Sequence, residues 1–151
     1  MKLLDLSNQS LDEISKIPED ITHLYCSNNR LRRLPILPIG LSVLICDNNI
    51  LDELPEMPTT IFHLNCHNNR LKKLPKMNSI RQLICSKNML EIIPDTPHAT
   101  HLNFYENKVS YIGNLPLSLL YFDCSYNLLS QVPHIPKSVI YFKYSKNQIT
   151  K

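Results

Sequence analysis

No stretch of the 151-residue sequence approaches the roughly 20 consecutive apolar residues that a membrane-spanning helix needs, which excludes such a helix. The first residues, Met1-Lys2-Leu3-Leu4-Asp5, put an acid where a secretory leader needs a long apolar run. The sequence therefore reads as a soluble, cytoplasmic chain without an ordinary export signal. Paired cysteine spacings are missing too. Five cysteines stand singly at 26, 46, 66, 85 and 124, an odd set that argues against a disulfide framework and suits a reducing compartment. A zinc site is excluded by geometry, because it needs ligands converging at about 2.3 Å. Cysteines one repeat apart would instead lie on a line at about 4.8 Å intervals. An excess of one charge sign is also lacking. Net charge is +3, and a nucleic-acid footprint would require Lys and Arg gathered along one face.

What the chain does have is one phrase repeated eight times: Leu, two residues, Leu, one residue, usually Cys, two residues, Asn, one residue, Leu. Plain copies run from Ile21 to Leu31, from Leu41 to Leu51 and from Ile61 to Leu71. The Asn recurs at 29, 49, 69, 88, 107, 127 and 147, with Gln9 in its place in the first copy, so the period is 19 or 20 residues. A unit this short cannot bury its own apolar edge and must stack on its neighbours.

Each copy can be read residue by residue. Around Leu-x-Cys the pattern alternates, which is the period of a strand with one buried face. In the third copy Leu44 and Cys46 point inward, while Val43, Ile45 and Asp47 point outward. Equivalent strands one repeat apart run parallel and form one sheet along the array. All five cysteines fill a slot that Leu6, Phe104 and Tyr144 fill elsewhere, so they are core hydrophobes. The Asn sits in a turn, where its amide can satisfy backbone groups the sheet leaves unpaired. The remaining half-repeat is rich in proline, as in Leu34-Pro35-Ile36-Leu37-Pro38 and Val132-Pro133-His134-Ile135-Pro136. Proline there predicts extended or polyproline-like segments with few or no helices. Just after the Leu that follows Asn, acidic and basic pairs alternate: Asp12-Glu13, Arg32-Arg33, Asp52-Glu53, Lys72-Lys73, then Glu91. Opposite charges on neighbouring rungs favour the correct register and break up any basic stripe.

On these residues the chain resembles the leucine-rich repeat proteins, specifically their short, 19–20-residue bacterial-type class. Arrays of that type occur in bacterial effectors and giant-virus repeat proteins. The resemblance implies a curved right-handed β-solenoid with a concave parallel sheet and extended convex segments. It covers residues 1–151 as a single domain of eight repeats. Effectors of this class usually place a helical cap before the first repeat, and none is evident here. Some carry a catalytic ubiquitin-ligase domain after the repeats, whereas this sequence stops at Lys151, inside the eighth copy. Both core ends are thus expected to lie open, at Leu4 and Leu6 and at Phe142, Tyr144 and Ile149.

Outward residues would form columns across the concave face. One contains His23, Val43, His63, His101, Tyr121 and Tyr141; the next contains Tyr25, Ile45, Asn65, Ile84, Asn103 and Asp123; a third adds His67 and Tyr105. Tyr, His, Asn and Ile together exceed what a surface needs for solubility alone, and tyrosine suits interfaces. These residues are the candidate contacts for a protein partner. Tyr and His also favour strands on propensity alone. His23, His63 and His101 lie two rungs apart, about 10 Å, too far to share one metal ion. No nucleophile, base and orienting acid fall within reach of one another, so neither catalysis nor a cofactor is expected. The expected function is a non-catalytic protein-binding module without nucleic-acid or membrane partners. Two alternatives are the substrate-recognition part of an effector-type ubiquitin ligase, located in host cytoplasm, and a solenoid that self-associates through uncapped ends.

Overall fold

A computed structural model of the chain describes residues 1–149. The expected eighth repeat extends to Thr150 and Lys151, which lie outside the described residues. Eight three-residue strands follow in order: β1 (Leu3–Asp5), β2 (His23–Tyr25), β3 (Val43–Ile45), β4 (His63–Asn65), β5 (Gln82–Ile84), β6 (His101–Asn103), β7 (Tyr121–Asp123) and β8 (Tyr141–Lys143). They form one parallel sheet in sequence order, the arrangement expected from the repeat. Register is unbroken: Leu4, Leu24, Leu44, Leu64, Leu83, Leu102, Phe122 and Phe142 pair in a single row. From β2 to β7 that row is buried, and the cysteine slot one turn of the pleat later is buried beside it. Among the described residues the convex half contains no helix. Its proline-spaced apolar residues, such as Leu37 and Met77, drop into the core instead.

The shared slot is a core slot in every interior rung. Cys26, Cys46, Cys66, Cys85 and Cys124 are free and buried. Burial disfavours the thiolate and pushes Cys26, Cys66 and Cys124 up to about 12, and pushes Cys46 and Cys85 up as well. From the sixth rung aromatics take over: Phe104 meets Phe122 edge-on at 5.5 Å, and Phe122 stacks on Phe142 at 5.4 Å. At the two ends of the described array, Leu4, Leu6, Phe142 and Ile149 are half-buried and Tyr144 is exposed.

The asparagine column does more than close its own turn. Asn69 donates to the carbonyl of Cys66 in its own rung and to that of Cys46 in the rung before, both at 3.1 Å. Its Oδ1 accepts from Leu51 N at 2.9 Å. Asn49, Asn88, Asn107, Asn127 and Asn147 repeat this bridge. The residue just before each Asn adopts a left-handed φ of 53–56°, or 57° at Glu106. Neither glycine of the chain has a positive φ; Asn28, Asn48 and Asn68 fill the position in rungs two to four, and Lys87, Glu106, Tyr126 and Lys146 fill it afterwards. Asn tolerates this region, whereas other residues with a Cβ meet a clash worth about 1–2 kcal/mol.

The alternating charge pairs behave differently from the expectation that they clasp neighbouring rungs. Among the described residues the one ion pair within 4.0 Å joins Lys2 to Asp20. Asp12-Glu13 and Arg32-Arg33 instead flank an open groove of about 420 Å³. Exposed ion pairs gain little over the entropy of holding two long side chains, so register rests on the asparagine bridges and the backbone ladder.

Candidate functional site: the concave sheet

Because each strand contributes two outward side chains, and a third follows it, the sheet carries three parallel columns. Strand pairing aligns His23, Val43, His63, Gln82, His101, Tyr121 and Tyr141, and likewise Tyr25, Ile45, Asn65, Ile84, Asn103 and Asp123. The fourteen expected contact residues thus share one face. Twelve are half-buried. Val43 and Asp123 are recessed, at 6% and 8% exposure. Val43 lies between the larger His23 and His63 on adjacent strands, and Asp123 folds back to accept from Ser125 N at 3.0 Å.

The N-terminal half of the face is a hydrogen-bonded polar floor. Asp47 accepts from Ser27 Oγ at 2.6 Å, from Asn48 Nδ2 at 2.7 Å and from Asn65 Nδ2 at 3.3 Å. One rung on, His67 Nδ1 and Ser86 Oγ share a bond of 2.7 Å. The sequence predicted no such nucleophile–base pair. Ser86 is 3% exposed, and the oxygens of Asp47 are taken by Ser27, Asn48 and Asn65. Burial, followed by the neighbouring Lys87 charge, lowers the His67 pKa, and burial alone lowers that of His63. Burial thus favours the neutral form of both rings. No group of three or more His, Cys, Asp or Glu among the described residues is disposed to hold a metal ion.

The C-terminal half is aromatic. Tyr121 and Tyr141 lie face to face at 4.3 Å and 6°, and His101 continues the column at 6.0 Å from Tyr121. Burial, then the Tyr141 hydroxyl, raises the Tyr121 phenol to about 12. Lys143 Nζ stands 5.3 Å over the Tyr141 ring, and Tyr105 packs edge-on against Tyr126 at 5.3 Å. Between the halves lies a depression of about 230 Å³ lined by Gln82, Leu83, Ile84, His101, Asn103 and Tyr121. Its walls offer one aliphatic surface, one aromatic face and three polar tips. Gln82, Ser86, Tyr126 and Lys143 were missing from the expected contact set. Gln82, Ser86 and Lys143 stand in the same columns as residues that were chosen, so strand register was the signal that could have added them.

No protein-family model and no curated protein matches the chain. Solved structures do. YopM from Yersinia enterocolitica superposes with a TM-score of 0.95 at 31% identity, over 99% of this chain and 34% of that one. The leucine-rich repeat domain of a Shigella effector gives 0.68 at 26% identity, over 100% of this chain and 61% of that domain. A functional domain of InlJ from Listeria monocytogenes, which includes a cysteine ladder, shares the fold at 0.52 and 24% identity, over 99% and 45%. The chain thus spans about a third of the Yersinia protein and under two thirds of the other two. This backbone match, together with the chain's own 19–20-residue repeat, makes the chain a leucine-rich repeat protein of the short bacterial-type class.

Proposed function

We propose that this solenoid is a non-catalytic module that recognises a protein through its concave sheet. The observation that carries this reading is the centre of the face, where Ile84, His101, Tyr121 and the amides of Gln82 and Asn103 surround one depression and Tyr141 stacks on Tyr121. Aromatic anchors beside a pocket with few polar groups are what interface hot spots are made of. The backbone beneath them is held by parallel ladders and asparagine bridges, so little ordering would be lost on binding. Eight rungs at about 4.8 Å give a face roughly 35 Å long, sufficient for a protein-sized contact. The likeness to a Shigella effector's repeat domain supports a recognition role. The test is affinity capture with the wild-type chain as bait, followed by titration of the purified partner against two variants. Substituting Ile84→Arg with Tyr121→Ala should weaken binding by about thirtyfold or more. Substituting Ile36→Asp with Ile39→Asp on the convex back should leave it unchanged. The reverse pattern would move the site off the sheet.

A further inference from the structure

We infer that the flank following the asparagine turns is the interface of an antiparallel, two-fold dimer with a second copy of this chain. The charges there continue beyond the pairs visible in the repeat phrase. Rung three presents Asp52, Glu53 and, further along the convex turn, Glu56. Rung four presents Lys72, Lys73 and Lys76 at the equivalent positions. Rung two contributes Arg32 and Arg33, and rung five contributes Glu91 and Asp95. All ten side chains are exposed, and none closes an ion pair within 4.0 Å among the described residues. The flank is therefore a set of alternating charged stripes, with each sign recurring every two rungs, about 10 Å.

Such a pattern is self-complementary under one operation. A two-fold axis lying between two apposed flanks, parallel to the rungs and level with the gap between rungs three and four, reverses rung order and keeps position along each rung. Asp52 then faces Lys72 of the second copy, Glu53 faces Lys73, and Glu56 faces Lys76, with the same three contacts made again in reverse. The outer rungs follow, Arg32 opposite Glu91. Slipping by one rung sets like charge on like, and slipping by two toward rung one sets Glu56 opposite Ile36 and Lys76 opposite Lys16, so the charges favour the register centred between rungs three and four. A parallel pairing in register does the same and is excluded. A different protein would need its own stripes at this spacing, whereas a second copy carries them by construction. The alternation leaves no basic stripe for nucleic acid. The pairing also leaves the concave sheet of each copy free, so it is independent of the recognition function proposed above.

The test is sedimentation of the full chain over a hundredfold concentration range at about 0.01 M and about 1 M salt, where screening lengths are about 30 Å and 3 Å. A dimer at low salt that dissociates at high salt is expected. Making rung four acidic (K72E, K73E, K76E) or rung three basic (D52K, E53K, E56K) should each abolish it, with circular-dichroism melts confirming that both variants fold. Mixing the two variants should restore a dimer containing one of each, since every central contact is again between opposite charges. A chain that is monomeric at low salt, an association that survives either variant, or a mixture that stays monomeric would each overturn the proposal.

Discussion

Asn69 is the residue on which the most depends locally. It satisfies the Leu51 amide alone and shares the Cys46 and Cys66 carbonyls with Asn49 and Asn88, so removing it orphans one buried donor and leaves each carbonyl a single side-chain partner. An unsatisfied buried donor costs about 1–3 kcal/mol, so Asn69→Ala should lower stability by about 1–3 kcal/mol in urea unfolding. Asn147→Ala should cost less, because its carbonyl contacts in its own rung are exposed. Lys87 offers the opposite prediction. Its φ of 53° is left-handed and its side chain is exposed, so Lys87→Gly relieves a clash worth about 1 kcal/mol. Part of that gain is offset by the greater freedom glycine gives the unfolded chain. A net rise of about 0.5 kcal/mol, read from the urea midpoint, is expected. The asparagine's role was legible in the sequence because its spacing never varies beyond one residue. The left-handed position before it was not, since Lys, Glu and Tyr there give no glycine-like signal.

At the scale of the element, the repeating strand and its cysteine slot were also plain in the sequence: a Leu-x-Cys phrase admits one inward face. What the phrase concealed is how far neighbours cover the outward face. Val43 and Asp123 read as exposed on alternation alone, yet larger flanking residues or a backbone hydrogen bond recess them. Side-chain bulk one rung away does not appear in any one repeat. The same holds for the charge pairs, whose spacing suggested clasps that the side chains do not close. The cysteine column carries a pH consequence. Burial raises these thiols above their unfolded value of about 9, to about 12 at Cys26. The unfolded chain therefore loses thiol protons first as pH rises, and stability must fall. Between pH 9 and pH 12 the loss approaches about 1.4 kcal/mol per thiol per pH unit. Urea midpoints should drop steeply above pH 9, and replacing Cys66 by Ala should lessen the slope. At pH 8 the native thiols should resist alkylation until denaturant is added.

For the whole molecule, stability is a sum of rung terms and nearest-neighbour terms, because every strand pairs only with its sequence neighbours. The array was legible at this scale from period alone, including strand order and the direction of the sheet. The columns of the proposed recognition face were legible from strand register, while the depression beside Ile84 emerged only from the packing of side chains across rungs. Excising residues 51–70 removes one rung at equivalent positions and sets Arg32 and Arg33 beside Lys72 and Lys73. Excising residues 51–89 removes two and sets them beside Glu91. The first deletion should unfold at lower denaturant in low salt than in high salt, and the second should lack that salt response. The backbone thus counts in single rungs and the surface in pairs. An array of this kind can lengthen by duplicating any one repeat without disturbing its core, yet only duplication two repeats at a time preserves the pattern on its flank, so the heritable unit is about forty residues, twice the unit of folding.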